Sequence, residues 1–399
     1  MRLALLLAIA SACGSTTLAP VPAPTAPVPE TAAAADALRA SRFEDAAREA
    51  SRALEKSPRD ARAAAVRAIA NYQAAGSELW LNLVNVIDKA EHVTAFDHEE
   101  GRVAWRAFAE RLGSIDADLA IVAADPGFSL ELCLACWEHD WNHNKTIDDR
   151  DRKLFELEYD GHGGRLDDGD PRRRPTFRFD VGDAEWARAM IAFQRAGVEL
   201  VLAYRWSDLD KLLYHGDPAL TIRMVDKGRV THAHKLILDG LGHADRCREL
   251  YLAETDDDRE WVPNPSQKSH PIPLDVDANL YATWAAVTGD VRRMLASEEG
   301  ISLREVAQLV DARAAMLVPD AYVDLGRMLR EPTDVTIDLK HASPTPAGIE
   351  AAFRQVLGNG YAARMKPSPL PGRLARMVKE LETGGETLEH KLRYLFWLN

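Results

Sequence analysis

Cysteine is scarce, with 4 in 399 residues. Beyond Cys13, only Cys133, Cys136 and Cys247 remain, so a disulfide-dense scaffold is excluded and at most one intrachain bridge can form among those three. Cys133-Leu134-Ala135-Cys136 has the spacing of a redox pair, but no βαβ pattern surrounds it and no second ligand pair accompanies it for zinc. A plain structural disulfide between Cys133 and Cys136, or two buried thiols, is the expectation. Positive charge is also short, with 49 Lys and Arg against 62 Asp and Glu and a net charge of −13. That balance argues against nucleic acid as a partner, because phosphate binding needs clustered Lys and Arg. Arg172-Arg173-Arg174 is the single tight basic run and reads as a solvated turn. Long apolar runs are missing too: Leu3 to Ala10 would rise only about 12 Å as a helix, against roughly 30 Å of bilayer hydrocarbon. No HExxH, GxSxG or phosphate-cradling glycine loop occurs, so no catalytic residue is assigned.

What is present begins with an address. Met1-Arg2 supplies a positive charge, Leu3–Ala10 an apolar core, and Ser11-Ala12 the small residues of a cleavage site, which together read as a secretory signal over residues 1–12. Ala10-Ser11-Ala12-Cys13 resembles the lipobox of bacterial lipoproteins, with Ala10 where leucine is usual. The resemblance implies diacylglyceryl attachment at Cys13, membrane association through that lipid and, with Gly14 next, an outer-membrane position facing the periplasm. Residues 13–35 follow as a tether in which Pro20, Pro22, Pro24, Pro27 and Pro29 favour extended polyproline II.

Residues 36–76 carry alanine at helical spacing. Phe43, Ala46, Ala50, Ala53, Leu54 and Pro58 resemble the second helix and closing proline of a tetratricopeptide repeat, and Ala61 to Ala75, with Tyr72 and then Gly76, resembles the first helix of the next. The resemblance implies a helical hairpin able to contact a protein partner. Helical periodicity then recurs over Leu79–Val93, Val103–Leu112, Glu185–Trp206, His232–Leu252, Leu274–Leu295, Leu303–Leu317, Pro346–Leu357, Gly372–Leu381 and Leu388–Trp397. Asp183 and Ser302 stand where N-caps belong. Only Thr176–Phe179 and Leu220–Val225 alternate like strands, and the predicted fold class is all-α. The proline-laced stretch from Trp261 to Pro273 suggests a boundary between a helical region over 77–262 and a C-terminal helical region over 263–399.

One stretch carries chemistry. Asp140-Trp141-Asn142-His143-Asn144-Lys145-Thr146-Ile147-Asp148-Asp149-Arg150-Asp151 resembles the calcium loop of EF-hand and dockerin-like proteins. The resemblance implies Ca2+ held by Asp140, Asn142, Asn144, the Thr146 carbonyl, Asp148 and Asp151, with Ile147 packing inward and a helix over Asp149–Tyr159. Lys145 stands where glycine is expected, and Asp151 where glutamate is. Asp160 to Asp170 forms a second acidic turn of irregular register, either a degenerate partner loop or a glycine-rich turn. His139, His143, His232, His234 and His243 read as ordinary polar positions, since residues 232 and 234 point about 200° apart on a helix. The expected function is that of a calcium-stabilised, membrane-anchored binding or scaffold protein of the cell envelope, without catalytic activity. The alternative is a metal-dependent hydrolase using the acidic and histidine-bearing region 139–170.

Overall fold

The computed structural model describes residues 28–382, apart from 94–95, 142, 161–163, 208, 211–218, 272–275, 311, 339–342 and 344. Cys13, the signal, most of the tether, Asn142 and the predicted helix Leu388–Trp397 lie outside the described residues. The fold is mostly helical, with thirteen α-helices and eight short strands among the described residues.

Helix α1 (Pro29–Arg39) begins inside the span predicted to be an extended tether. Pro29 opens it because the first helical turn needs no N–H there, and Glu30 suits the positive end of the helix dipole. The alanines behind it supply a face narrow enough to bury: Ala34, Ala35, Ala37 and Leu38 are in the core. Helix α2 (Phe43–Lys56) buries Phe43, Ala46, Ala50, Ala53 and Leu54. These are the residues that carry the repeat-like pattern. Asp60 ties the start of this hairpin to the next helix, accepting hydrogen bonds from the Thr31 hydroxyl (2.5 Å) and the Ala63 N–H (2.9 Å).

Helix α3 runs unbroken from Ala61 to Val93, so the predicted break at Gly76 is not there. A glycine inside a helix costs about 1 kcal/mol, less than the loss of packing that a break would bring while α3 lies along α4 (His98–Ala123). The buried Asp118 of α4 accepts two hydrogen bonds from Arg67 of α3, fixing their alignment. Helix α6 (Val181–Ala203) packs on α4, and α7 (Lys227–Ala253) packs on α6. A Cβ at Gly240 would lie 2.6 Å from the Phe193 ring, which shows how closely α7 approaches α6.

Strands β1 (Leu130–Leu132) and β2 (Phe177–Phe179) pair antiparallel, so that Leu130 faces Phe179 and Leu132 faces Phe177. Two three-stranded antiparallel sheets were not expected. The first is formed by β3 (Tyr204–Arg205), β4 (Ala219–Met224) and β7 (Val335–Asp338), the second by β5 (Ile301–Ser302), β6 (Tyr322–Val323) and β8 (Tyr361–Ala362). Most of these strands have only two residues, too few for alternation to register in the sequence. Around them lie α8 (Ala278–Leu295), α9 (Leu303–Val310), α10 (Ala312–Leu317), α11 (Leu325–Arg330), α12 (Pro346–Leu357) and α13 (Leu370–Glu382). The start of the proline-laced stretch is tied to the helices on both sides of it. Asn264 donates to the Tyr251 carbonyl (2.9 Å), and the Tyr281 hydroxyl donates to the Pro263 carbonyl (3.0 Å), so the segment is hydrogen-bonded to both α7 and α8.

Candidate functional site

A disulfide joins Cys133 and Cys136 across a single 3-10 turn, and the chain then passes through Trp137 to the acidic loop. Asp140 accepts from the backbone N–H groups of Asn144 (3.0 Å) and Lys145 (2.6 Å), which draws the loop around its carboxylate. Asn144 accepts from the N–H (2.8 Å) and hydroxyl (2.6 Å) of Thr146. Lys145 has φ of +70° and His143 φ of +56°. The chain thus adopts at Lys145 the left-handed turn that glycine usually serves, at a cost of roughly 1 kcal/mol. Asp151 closes the loop from its far end. One carboxylate oxygen accepts from Trp141 N–H (2.9 Å), the other from Asp148 N–H (3.0 Å), and the side chain is buried. Asp148 caps the following helix through Arg150 N–H (2.7 Å).

Two expectations for the loop fail. Helix α5 spans only Asp149–Arg152 rather than reaching Tyr159, because the chain turns away to bring Leu157 into the core. Ile147 is 40% exposed rather than packed inward. The second acidic turn is spent otherwise. Asp168 pairs with Arg173, Asp170 with Arg172 (2.7 Å), and Glu156 with Arg173 and Arg174 (2.9 Å each). Arg173 is buried and pairs internally, whereas Arg172 and Arg174 are exposed, so the basic run is a solvated turn except at Arg173.

The loop is held against the N-terminal hairpin. Ser41 accepts from Glu138 N–H (2.8 Å), and the Phe43 ring meets Trp137 and His139 edge-on at 5.3 and 5.1 Å. Burial lowers the His139 pKa, with the nearby His143 acting in the same sense. The other histidines do not converge on it: His243 bonds Glu185 (2.6 Å), and His232 lies 3.6 Å from Glu199.

Behind the loop is a cavity of about 600 Å³, which no pattern in the sequence announces. Its walls come from α3, α4, α6 and β1, together with Trp137, Trp141, Leu154 and Phe155 from either side of the loop. The lining is rich in aromatic side chains and holds no Lys or Arg. Trp137 and Trp141 keep their indole N–H groups buried without a hydrogen-bond partner, and so does the Gln194 Oε1 on α6. The Gln194 amide donates to Tyr72 (2.8 Å). The ionisable groups in the wall, besides Tyr72, are Asp180 and Asp183.

Those two belong to a second acidic centre. Asp180, not Asp183, is the N-cap of α6, accepting from Gly182 N–H (2.6 Å), while Asp183 reaches back to Asp180 N–H (2.8 Å). Tyr251 donates to Asp183 (2.7 Å), and Gly182 is required beneath that ring, since a Cβ there would lie 2.6 Å from it. Asp180, Glu254 and Glu260 bring one carboxylate oxygen each to within 4.8 Å of one another. Burial, then the charge of Asp180, pushes Glu254 up to about 9 and Glu260 up to about 7. Burial raises Asp183 in the same way. Compared with family models, with curated proteins and with solved structures, the chain matches none.

Proposed function

We propose that the protein is a lipid-anchored envelope binding protein that takes a small apolar ligand into the cavity behind the loop, and that Ca2+ in the Asp140–Asp151 loop sets one wall of that cavity. The observation that carries this reading is the position of Trp141. It follows the first acidic residue of the loop, its N–H is held by the last, and its side chain lines the cavity. An ion drawing Asp140, Asn144, Asp148 and Asp151 together would therefore also fix Trp141. The volume falls within the roughly 300–1,000 Å³ of ordinary small-molecule sites. With no cation in the lining, a carboxylate or phosphate head would be buried unpaired, which is costly. The apolar, aromatic lining instead suits an uncharged molecule. Three carboxylates of the region assigned to the rival hydrolase reading, Glu156, Asp168 and Asp170, are paired with Arg174, Arg173 and Arg172, which supports binding over catalysis.

Nile red, neutral and carrying one carbonyl, tests this. Its fluorescence should report saturable binding to the full chain that is several-fold tighter in calcium than in chelator and weakened by Trp141→Ala, while a fatty acid competes poorly. Equal affinity in calcium and chelator, or indifference to Trp141→Ala, would contradict the reading.

A further inference from the structure

Asp180, Glu254 and Glu260 come from three separate segments: the N-cap of α6, the end of α7 and the loop after it. This is the one place among the described residues where three His, Cys, Asp or Glu ligand atoms converge. The neighbouring cation is Arg178, whose guanidinium stands 3.9 Å from Glu260 and forms a closer pair with Asp256 at 2.6 Å. Glu260 is 3% exposed and its Oε1 accepts no hydrogen bond. A buried carboxylate oxygen without a donor is unusual, because the desolvation of such a group is ordinarily offset by pairing or by a metal. Within the centre the Asp180 and Glu254 side chains hydrogen-bond each other, and other bonds reach it from outside. Asp180 accepts from the first turn of α6, and Glu254 accepts from the Gln267 amide at 3.3 Å. Glu260 thus brings to a crowd of carboxylates a buried carboxylate whose Oε1 has no hydrogen-bond donor and only the long contact with Arg178.

We propose that Asp180, Glu254 and Glu260 form a second cation site, separate from the Asp140–Asp151 loop, that takes a hard divalent cation. An all-carboxylate set without histidine or thiolate favours Ca2+, Mg2+ or Mn2+ over zinc or copper. Three carboxylates and one divalent ion leave a charge of −1, which Arg178, shared with Asp256, partly offsets. Because Asp180 also lines the cavity, the ion would sit beside the cavity wall and would tie the start of α6 to the end of α7. The site depends on neither the loop nor the proposed ligand.

Equilibrium dialysis of the full chain in detergent against Ca2+, with Mn2+ as a second probe, counts the sites. Two ions per chain are expected for the wild type, one for Glu260→Gln and one for Asp140→Ala. Glu254→Gln should match Glu260→Gln. In chelator, Glu260→Gln should melt no lower than the wild type, because it removes a charge from a crowded centre, and this separates a lost site from a lost fold. A stoichiometry unchanged by both Glu254→Gln and Glu260→Gln would overturn the proposal. If Asp140→Ala changes nothing while Glu260→Gln removes an ion, the second site stands and the loop reading falls.

Discussion

The two acidic centres of this protein solve the same electrostatic problem in opposite ways. In the Asp140–Asp151 loop the carboxylates are close in sequence, and the backbone itself stabilises them. The N–H groups of Trp141, Asn144, Lys145, Asp148 and Arg150 all donate to Asp140, Asp148 or Asp151. At Asp180, Glu254 and Glu260 the carboxylates are far apart in sequence, and Glu260 keeps an oxygen without a donor. The first arrangement is a loop that holds its shape through local bonds, and its carboxylates do not converge as the second set does. The second is a junction between helices whose excess charge calls for protons or a cation. Without an ion the loop should keep its fold but open more often, whereas the junction should be the weaker point in chelator.

Asp151→Ala is expected to give the largest effect within the loop. It strips the hydrogen-bond partner from two backbone N–H groups, Trp141 and Asp148, at a buried position. Leaving such donors unpaired costs about 1–3 kcal/mol, a loss of a few degrees in melting temperature for a chain of this size. Thermal melts in chelator read this cost apart from any lost ion. A melting temperature equal to that of the wild type in chelator would mean that calcium, not the backbone bonds, shapes the loop.

Lys145→Gly should have a smaller effect of opposite sign. At φ of +70° glycine relieves strain, a gain of up to about 1 kcal/mol. Calcium affinity, measured by titration, should rise with it. A loss of stability would show that the Lys145 side chain contributes more than its backbone costs.

The same contrast governs how much was legible in the sequence. The loop could be read because its ligand candidates repeat at every second residue within one short segment. The helix faces could be read because Phe43, Ala46, Ala50 and Ala53 recur at helical spacing, and those residues are buried. The centre at Asp180, Glu254 and Glu260 had no such signal. Asp180 and Asp183 compete as N-caps three residues apart, and nothing local links either to Glu260. The cavity was equally hidden, since a tryptophan lining a cavity and one filling a core have the same sequence pattern. Gly76 misled for a different reason. Its local preference to break a helix is real, but packing of α3 along α4 outweighs it. That continuity also changes the standing of the repeat-like hairpin. Its Ser41 and Phe43 brace the segment that leads into the loop, and α3 walls the cavity, so residues 36–76 belong to the body of the fold.

Hydrogen exchange of the full chain, followed by mass spectrometry on peptides covering residues 137–155, tests the loop most directly, because it reads Trp141, Asn144 and Lys145 apart from the second centre. If Ca2+ binds between Asp140 and Asp151, exchange in those peptides slows in calcium relative to chelator for the wild type, and Asp140→Ala abolishes the difference. Peptides covering residues 254–262 should respond to calcium in both proteins. Identical exchange of the 137–155 peptides in calcium and in chelator would contradict the account, leaving the loop an acidic turn closed by its own backbone.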